Sequence, residues 1–117
     1  MPFTIVRNDI TRMHVDAVVN AANTELLMGG GVCGAIFHAA GETALQQACD
    51  KLSSIHTGEA VITPGFSLPA KYIIHAAGPV YHAWSKAESR KLLSAAYQNS
   101  LVLAEQYGWT SIAFPLI

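Results

Sequence analysis

Two asparagines and three consecutive glycines carry the chemistry that is visible in this sequence. Asn20 and Asn23 close a short apolar run, Ala17-Val18-Val19, and Gly29-Gly30-Gly31-Val32 follows, directly before an alanine-rich helical pattern. A strand, a Gly-rich loop and a helix start, in that order, can hold phosphate on backbone N–H groups. Three glycines in a row carry a high entropic cost for a mere turn, which favours a ligand loop. Asn23 reads as ligand-facing, and Asn20 as a structural or site-supporting side chain. Asp9, just after an alternating run, reads either as a turn residue or as a ligand-facing carboxylate.

The remaining reactive side chains give weaker signals. Cys33 follows the glycines, but nothing beside it supplies an activating base or cation, so it reads as a small apolar helix residue rather than a nucleophile. His38 is the candidate general base on the same helix. His75, within an apolar run, reads as a core histidine with its hydrogen bonds satisfied. His14, His56 and His82 show no ligand spacing, and the sequence has no paired Cys/His motif. No metal and no cofactor is therefore expected.

The elements that must position these residues follow from periodicity. Phe3–Arg7 alternates as a strand, Asn8-Asp9 turns the chain, and Ile10 to Val15 reads as a loop or single turn. Ala17–Val19 is a second, buried strand. Val32, Ile36 and Ala39-Ala40 form one stripe of a helix that Gly41 ends. A second helix spans Glu42–Leu52, with Ala44, Leu45, Ala48, Cys49 and Leu52 at helical spacing. Strands are expected at Ala60–Thr63 and Tyr72–Ala77, stopped by Pro64-Gly65 and Gly78-Pro79. Ser85-Lys86-Ala87-Glu88 matches a capping box, opening a helix to about Tyr107 that Gly108 stops. Its expected buried stripe is Leu93, Tyr97, Leu101 and Ala104. Trp84 and Trp109 flank that helix and are expected to pack at its ends. Ser111–Ile117 reads as a last strand. Strands alternating with helices imply an α/β fold with a largely parallel sheet.

The 117 residues fit one domain, and 51% hydrophobic with 13% charged residues is enough to bury a core. A net charge of -1 gives no general pull on nucleic acid or anionic membrane, so an anion must be held by local dipoles. No apolar run approaches the ~20 residues of a membrane span. Two cysteines are too few for a disulfide framework, so reduced thiols and a cytoplasmic location are expected.

Asp9-Ile10-Thr11, Val19-Asn20-Ala21-Ala22-Asn23, Gly29-Gly30-Gly31-Val32, Ala39-Ala40-Gly41, Thr57-Gly58-Glu59-Ala60 and Ile74-His75-Ala76-Ala77-Gly78-Pro79 occur in this order. Together they closely resemble the macrodomain family, ADP-ribose-binding and Appr-1″-p processing-like modules. The resemblance runs from Phe3 to Ile117. It implies a three-layer α/β/α sandwich with a mixed, largely parallel sheet. It also implies that Asp9 and the Ile10 N–H contact adenine, that Asn23 touches the distal ribose, and that Gly29, Gly30, Gly31, Val32 and Cys33 line the diphosphate. An acceptor-only carboxylate suits an exocyclic amine, and an amide suits a sugar hydroxyl. The implied partner is ADP-ribose or a mono-ADP-ribosylated protein.

Two departures shape the expectation. The hydrolytic branch usually reads G-G-V-D-G-x-I-H-x-A-A-G, whereas this chain has Cys33 at the aspartate, Phe37 at the histidine, and His38 one residue later, about 100° round the helix. A thiol is a poor substitute for a carboxylate base at neutral pH. The resemblance therefore implies an ADP-ribose binder first. The alternative is a hydrolase of ADP-ribosyl or O-acetyl-ADP-ribose esters, with Asn20 and Asn23 positioning substrate and either substrate phosphate or His38 activating water. Family members also continue past Pro115-Leu116-Ile117 with a second Gly-rich loop, a helix and a strand. The domain is accordingly expected to be C-terminally incomplete: a truncated, inert fragment, or a half module completed by self-association or another partner.

Overall fold

The computed structural model describes residues 8–79 and 85–115. The expected first strand Phe3–Arg7, together with His82, Trp84, Leu116 and Ile117, lies outside them. A 3-10 turn at Ile10–Arg12 is followed by β1 (Ala17–Ala22), α1 (Gly31–Ala40), α2 (Glu42–Asp50), β2 (Ala60–Pro64), β3 (Tyr72–Ala77), α3 (Lys86–Gln106) and β4 (Ile112–Ala113).

The strands form one sheet in the order β2-β3-β1-β4. β1 pairs in parallel with β3, Ala17 opposite Tyr72 through Ala22 opposite Ala77, and in parallel with β4. β2 joins the far side of β3 antiparallel, placing Val61 opposite His75. The sheet is thus mixed and largely parallel. Its two central strands are buried almost throughout, which is why their sequences read as continuous apolar runs rather than alternations.

Two apolar clusters cover the two faces. One joins Val18 and Ile73 to Ile36, Phe37, Leu45 and Cys49 from α1 and α2. The other joins Ala17, Val19, Ile74 and Ala76 to Ala96 of α3. Helices on both faces give the three-layer α/β/α arrangement. Each fully buried Ile, Leu or Phe here stabilises the fold by roughly 1.5–3 kcal/mol.

Several element readings shift by small, explicable amounts. β1 extends three residues beyond Val19 because the buried Asn20 finds a partner in His75 across the ladder. The buried face of α1 is Cys33, Ile36, Phe37 and Ala40, one step round from the expected stripe, and Val32 faces out. α2 ends at Asp50, where Leu52 N and Ser53 N both donate back to Cys49 O. Leu52 is therefore exposed; Ala44, in the first turn of α2, is exposed as well. Along α3 the most buried positions are Ser89, Ala96, Ser100 and Ala104, while Leu93, Tyr97 and Leu101 are half-buried. Small residues at the centre let the helix approach the sheet closely. Ser85 caps α3, its side chain accepting from Glu88 N at 3.1 Å. Among the described residues β4 is only two residues long, shorter than the expected Ser111–Ile117 strand.

Candidate functional site

The candidate residues gather past the carboxyl end of β1, where open α/β sheets offer a crevice for ligands. Asn23, the first residue after the strand, folds the chain back on itself. Its Oδ1 accepts from Leu27 N at 2.9 Å and its Nδ2 donates to Leu27 O at 2.7 Å. Leu26 N donates to Asn23 O within the same turn. Leu26 takes a φ of 56°, unusual for a side-chain-bearing residue, with its side chain buried in the core.

The glycines then open α1. Gly30 occupies the position before the helix and supplies no side-chain cap. Gly31 begins the helix with φ 57°, a left-handed conformation that glycine adopts without penalty. Gly34 N donates to Gly30 O, the first bond of the helix. The N–H groups of Gly31, Val32 and Cys33 therefore have no acceptor inside it. They sit at the positive end of the helix dipole. Gly29, Gly30, Gly31 and Val32 are all exposed, and a Cβ added at Gly30 would meet nothing within 4 Å. At Gly34 the opposite holds: a Cβ would lie 2.5 Å from Gly29 O. That glycine lets the loop lie directly against the first turn of α1.

Behind the loop runs a buried polar chain. Asn20 Nδ2 lies 3.0 Å from His75 Nδ1 and 3.6 Å from Cys33 Sγ. His75 Nε2 lies 2.9 Å from Thr63 Oγ1 and 3.9 Å from Cys49 Sγ. An amide nitrogen only donates, so His75 Nδ1 accepts and Nε2 carries the proton, which it gives to Thr63 Oγ1. Thr63 passes its own proton toward Pro64 O. Burial pushes the His75 pKa down to about 4 and the Cys49 thiol up to about 11, so both are neutral at pH 7. Cys33 is 7% exposed and its Sγ also lies 3.8 Å from Leu27 O. The thiol is thus buried beneath the loop, and a Cβ added at Gly29 would lie 3.9 Å from it. Asn20 Oδ1 is buried with no hydrogen-bond partner among the described residues.

The other sequence candidates lie at different places. Asp9 is exposed and caps the 3-10 turn, its Oδ1 accepting from Thr11 N at 3.0 Å and Thr11 Oγ1 at 2.6 Å. Those bonds hold its carboxyl below the usual value. The turn packs against α1, and Ile10 is half-buried in the same cluster. His38 is exposed in the last turn of α1, about 10 Å along the axis from Gly31. Glu59 ties its own turn, Oε1 accepting from His56 N at 2.6 Å. A groove of about 410 Å³ lined by Thr24, Glu25, Ser54, Ile55, His56, Thr57 and Leu92 includes none of the glycines. Among the described residues no His, Cys, Asp or Glu cluster is arranged to hold a metal ion.

Sequence reasoning missed Gln46, Thr63, Gly34 and Asp16. Gln46 and Thr63 act on partners 20 and 12 residues away. No local pattern marks such a residue. Gly34 could have been found, because a glycine inside an otherwise good helix pattern often signals a close approach.

The fold and the loop together define an α/β sandwich that offers uncapped backbone N–H groups at the end of its sheet. The chain belongs to the Macro domain family, whose model matches residues 19–117. It is 55% identical over 113 residues to a Macro domain-containing protein of Lactiplantibacillus plantarum, covering 97% of this chain and 64% of that protein. It is 46% identical over 111 residues to the ADP-ribose glycohydrolase MACROD2 of Xenopus laevis, covering 95% of this chain and 26% of that protein. Among solved structures it is similar to the Oceanobacillus iheyensis macrodomain with ADP, with a TM-score of 0.88, 42% identity, and coverage of 94% of this chain and 60% of that one. The Trypanosoma brucei macrodomain in complex with ADP-ribose matches with a TM-score of 0.80, 41% identity, and coverage of 92% and 44%. The chain thus spans less than two thirds of the length of these relatives.

Proposed function

We propose that this chain binds ADP-ribose or ADP-ribosyl groups, with the diphosphate seated on the N–H groups of Gly31, Val32 and Cys33. One observation carries the reading: α1 starts without a side-chain cap, and open space faces Gly30. Uncapped N–H groups and the helix dipole together favour a polyanion over water. Solved macrodomains holding ADP and ADP-ribose support the same ligand class. On this reading Asp9 and the Ile10 N–H take the adenine. Asn23 takes the distal ribose with the one N–H and the lone pair that Leu27 leaves free.

Calorimetry with ADP-ribose tests it. Gly30→Val should fold like the parent, because its side chain enters empty space, and should lose binding at least about ten-fold because that space is the diphosphate's. Absence of heat from the unsubstituted chain at millimolar ADP-ribose would sink the reading.

A second reading, hydrolysis of ADP-ribosyl esters, is favoured by similarity to a protein named as an ADP-ribose glycohydrolase. In this chain Cys33 Sγ points to Asn20 and Leu27, and His38 stands on the far turn of α1. Position 33 lies against the loop at Gly29, but a thiol is a poor base and His38 is a turn too far, which leaves the substrate phosphate to activate water. Cys33→Asp should then raise ADP-ribose release from a mono-ADP-ribosylated protein by about ten-fold or more, within the range a positioned base contributes. Equal release from both forms would remove the carboxylate from the account.

A further inference from the structure

The approach to the glycines is held by two amide side chains from different elements. Asn23 grips Leu27 at both its N–H and its C=O. Gln46, half-buried on α2, grips the residues on either side: its Nε2 donates to Leu26 O at 3.0 Å, and its Oε1 accepts from Met28 N at 3.0 Å. The second Nε2 hydrogen goes to Asp50 Oδ1 at 2.9 Å. Leu26 N, Leu26 O, Leu27 N, Leu27 O and Met28 N are all satisfied by these contacts and by Asn23 O.

We propose that Gln46 is a positioning residue that fixes the path of the Gly-rich loop for its anionic ligand. The orientation of its amide is dictated by chemistry. Asp50 and Leu26 O can only accept, so the NH2 end must face them, and the carbonyl end is left for Met28 N. Met28 leads directly into Gly29, whose carbonyl rests against Gly34. One side chain therefore connects α2 to the starting point of the loop. A ligand held by unsatisfied N–H groups needs those groups placed to within about half an ångström. Leu26 is held at positive φ, a conformation the chain would leave if released. The clamp on Leu26 O and Met28 N opposes that release. The ligand half of this proposal rests on the ADP-ribose reading above.

The test combines amide hydrogen exchange without ligand and calorimetry with ADP-ribose. Gln46→Glu keeps size and the acceptor for Met28 N but turns an oxygen on Leu26 O and Asp50. Gln46→Ala removes the grip altogether. Asp50→Ala, at an exposed position, removes one of the two acceptors that orient the amide and costs no core packing. Gln47→Ala, exposed on the same helix, is the control.

Met28 N–H should exchange about ten-fold faster or more in both Gln46 variants, and less so in Asp50→Ala, while the β3 amides keep their protection. ADP-ribose affinity should fall about ten-fold in the Gln46 variants, and Gln47→Ala should match the parent in both measurements. Unchanged Met28 exchange would overturn the clamp. Faster exchange with full ADP-ribose affinity would overturn its role in binding. If the parent chain binds no ADP-ribose, the functional reading and the ligand half fall together, and the Met28 exchange rate alone decides whether Gln46 holds the loop.

Discussion

His75 stands in the middle of the sheet with both ring nitrogens used and its pKa pushed down to about 4 by burial. The unfolded chain takes up this proton near 6.5, whereas the folded chain refuses it until about pH 4. The native state therefore has its full His75 contribution above 6.5 and loses it as the pH falls toward 4. The gap corresponds to ~3 kcal/mol. Urea unfolding at pH 7.0, 5.5 and 4.5 should show stability falling by up to that amount, and His75→Phe should flatten the slope across this interval. A parent chain equally stable at 7.0 and 4.5 would show that the ring is protonated in place. Asn20, with Nδ2 on His75 and on Cys33, links this neutral histidine to the first turn of α1. A change at His75 should therefore be felt at the loop.

Among the elements, α1 depends most on one position. Gly34→Ala places a Cβ 2.5 Å from Gly29 O, a backbone atom that can move only by carrying the loop with it. Chemical denaturation should show a loss of about 1–3 kcal/mol, although alanine is the better helix former, and ADP-ribose binding should weaken in the same variant. A gain in stability would mean that propensity outweighs the clash. This contrast also marks what a sequence can disclose. The caps were legible, because Ser85 and Gly41 act on neighbours within a turn. That glycines open α1 was legible, because Gly29, Gly30 and Gly31 stand directly before a helical stripe. The face of α1 was misplaced by one residue, because Val32 and Cys33 differ little in hydropathy and only the sheet decides which points inward. Gln46 was illegible, since a glutamine on an amphipathic helix looks like any solvated residue until the loop it holds is in place.

At the scale of the whole molecule, Asp16 joins distant parts of the chain. Its Oδ2 accepts from Thr110 N at 2.8 Å and Ser111 N at 3.3 Å, and its own N–H donates to Ser111 Oγ at 2.9 Å. These bonds dock the segment around β4 beside β1, and Trp109 stacks next to it on Tyr72 at 4.8 Å and Tyr107 at 5.3 Å. The backbone N–H of Thr110 holds the Asp16 carboxyl below its ordinary 3.8. The stability it contributes is present above that value and is lost as the pH falls below it, through the lowered one. Asp16→Asn should lower the melting temperature at pH 7 and lessen the parent's loss on acidification from pH 4 to 2; equal curves would show that the docking does not depend on charge. The bare start of α1 has a different kind of consequence. Recognition by peptide N–H groups is written in the main chain, where truncating side chains cannot erase it. An alanine scan of this face would report the supports and stay blind to the donors themselves. Replacing the amide of Val32 or Cys33 by an ester, through semisynthesis, removes one donor at a time and addresses the contact that no codon change to another ordinary amino acid except proline can delete.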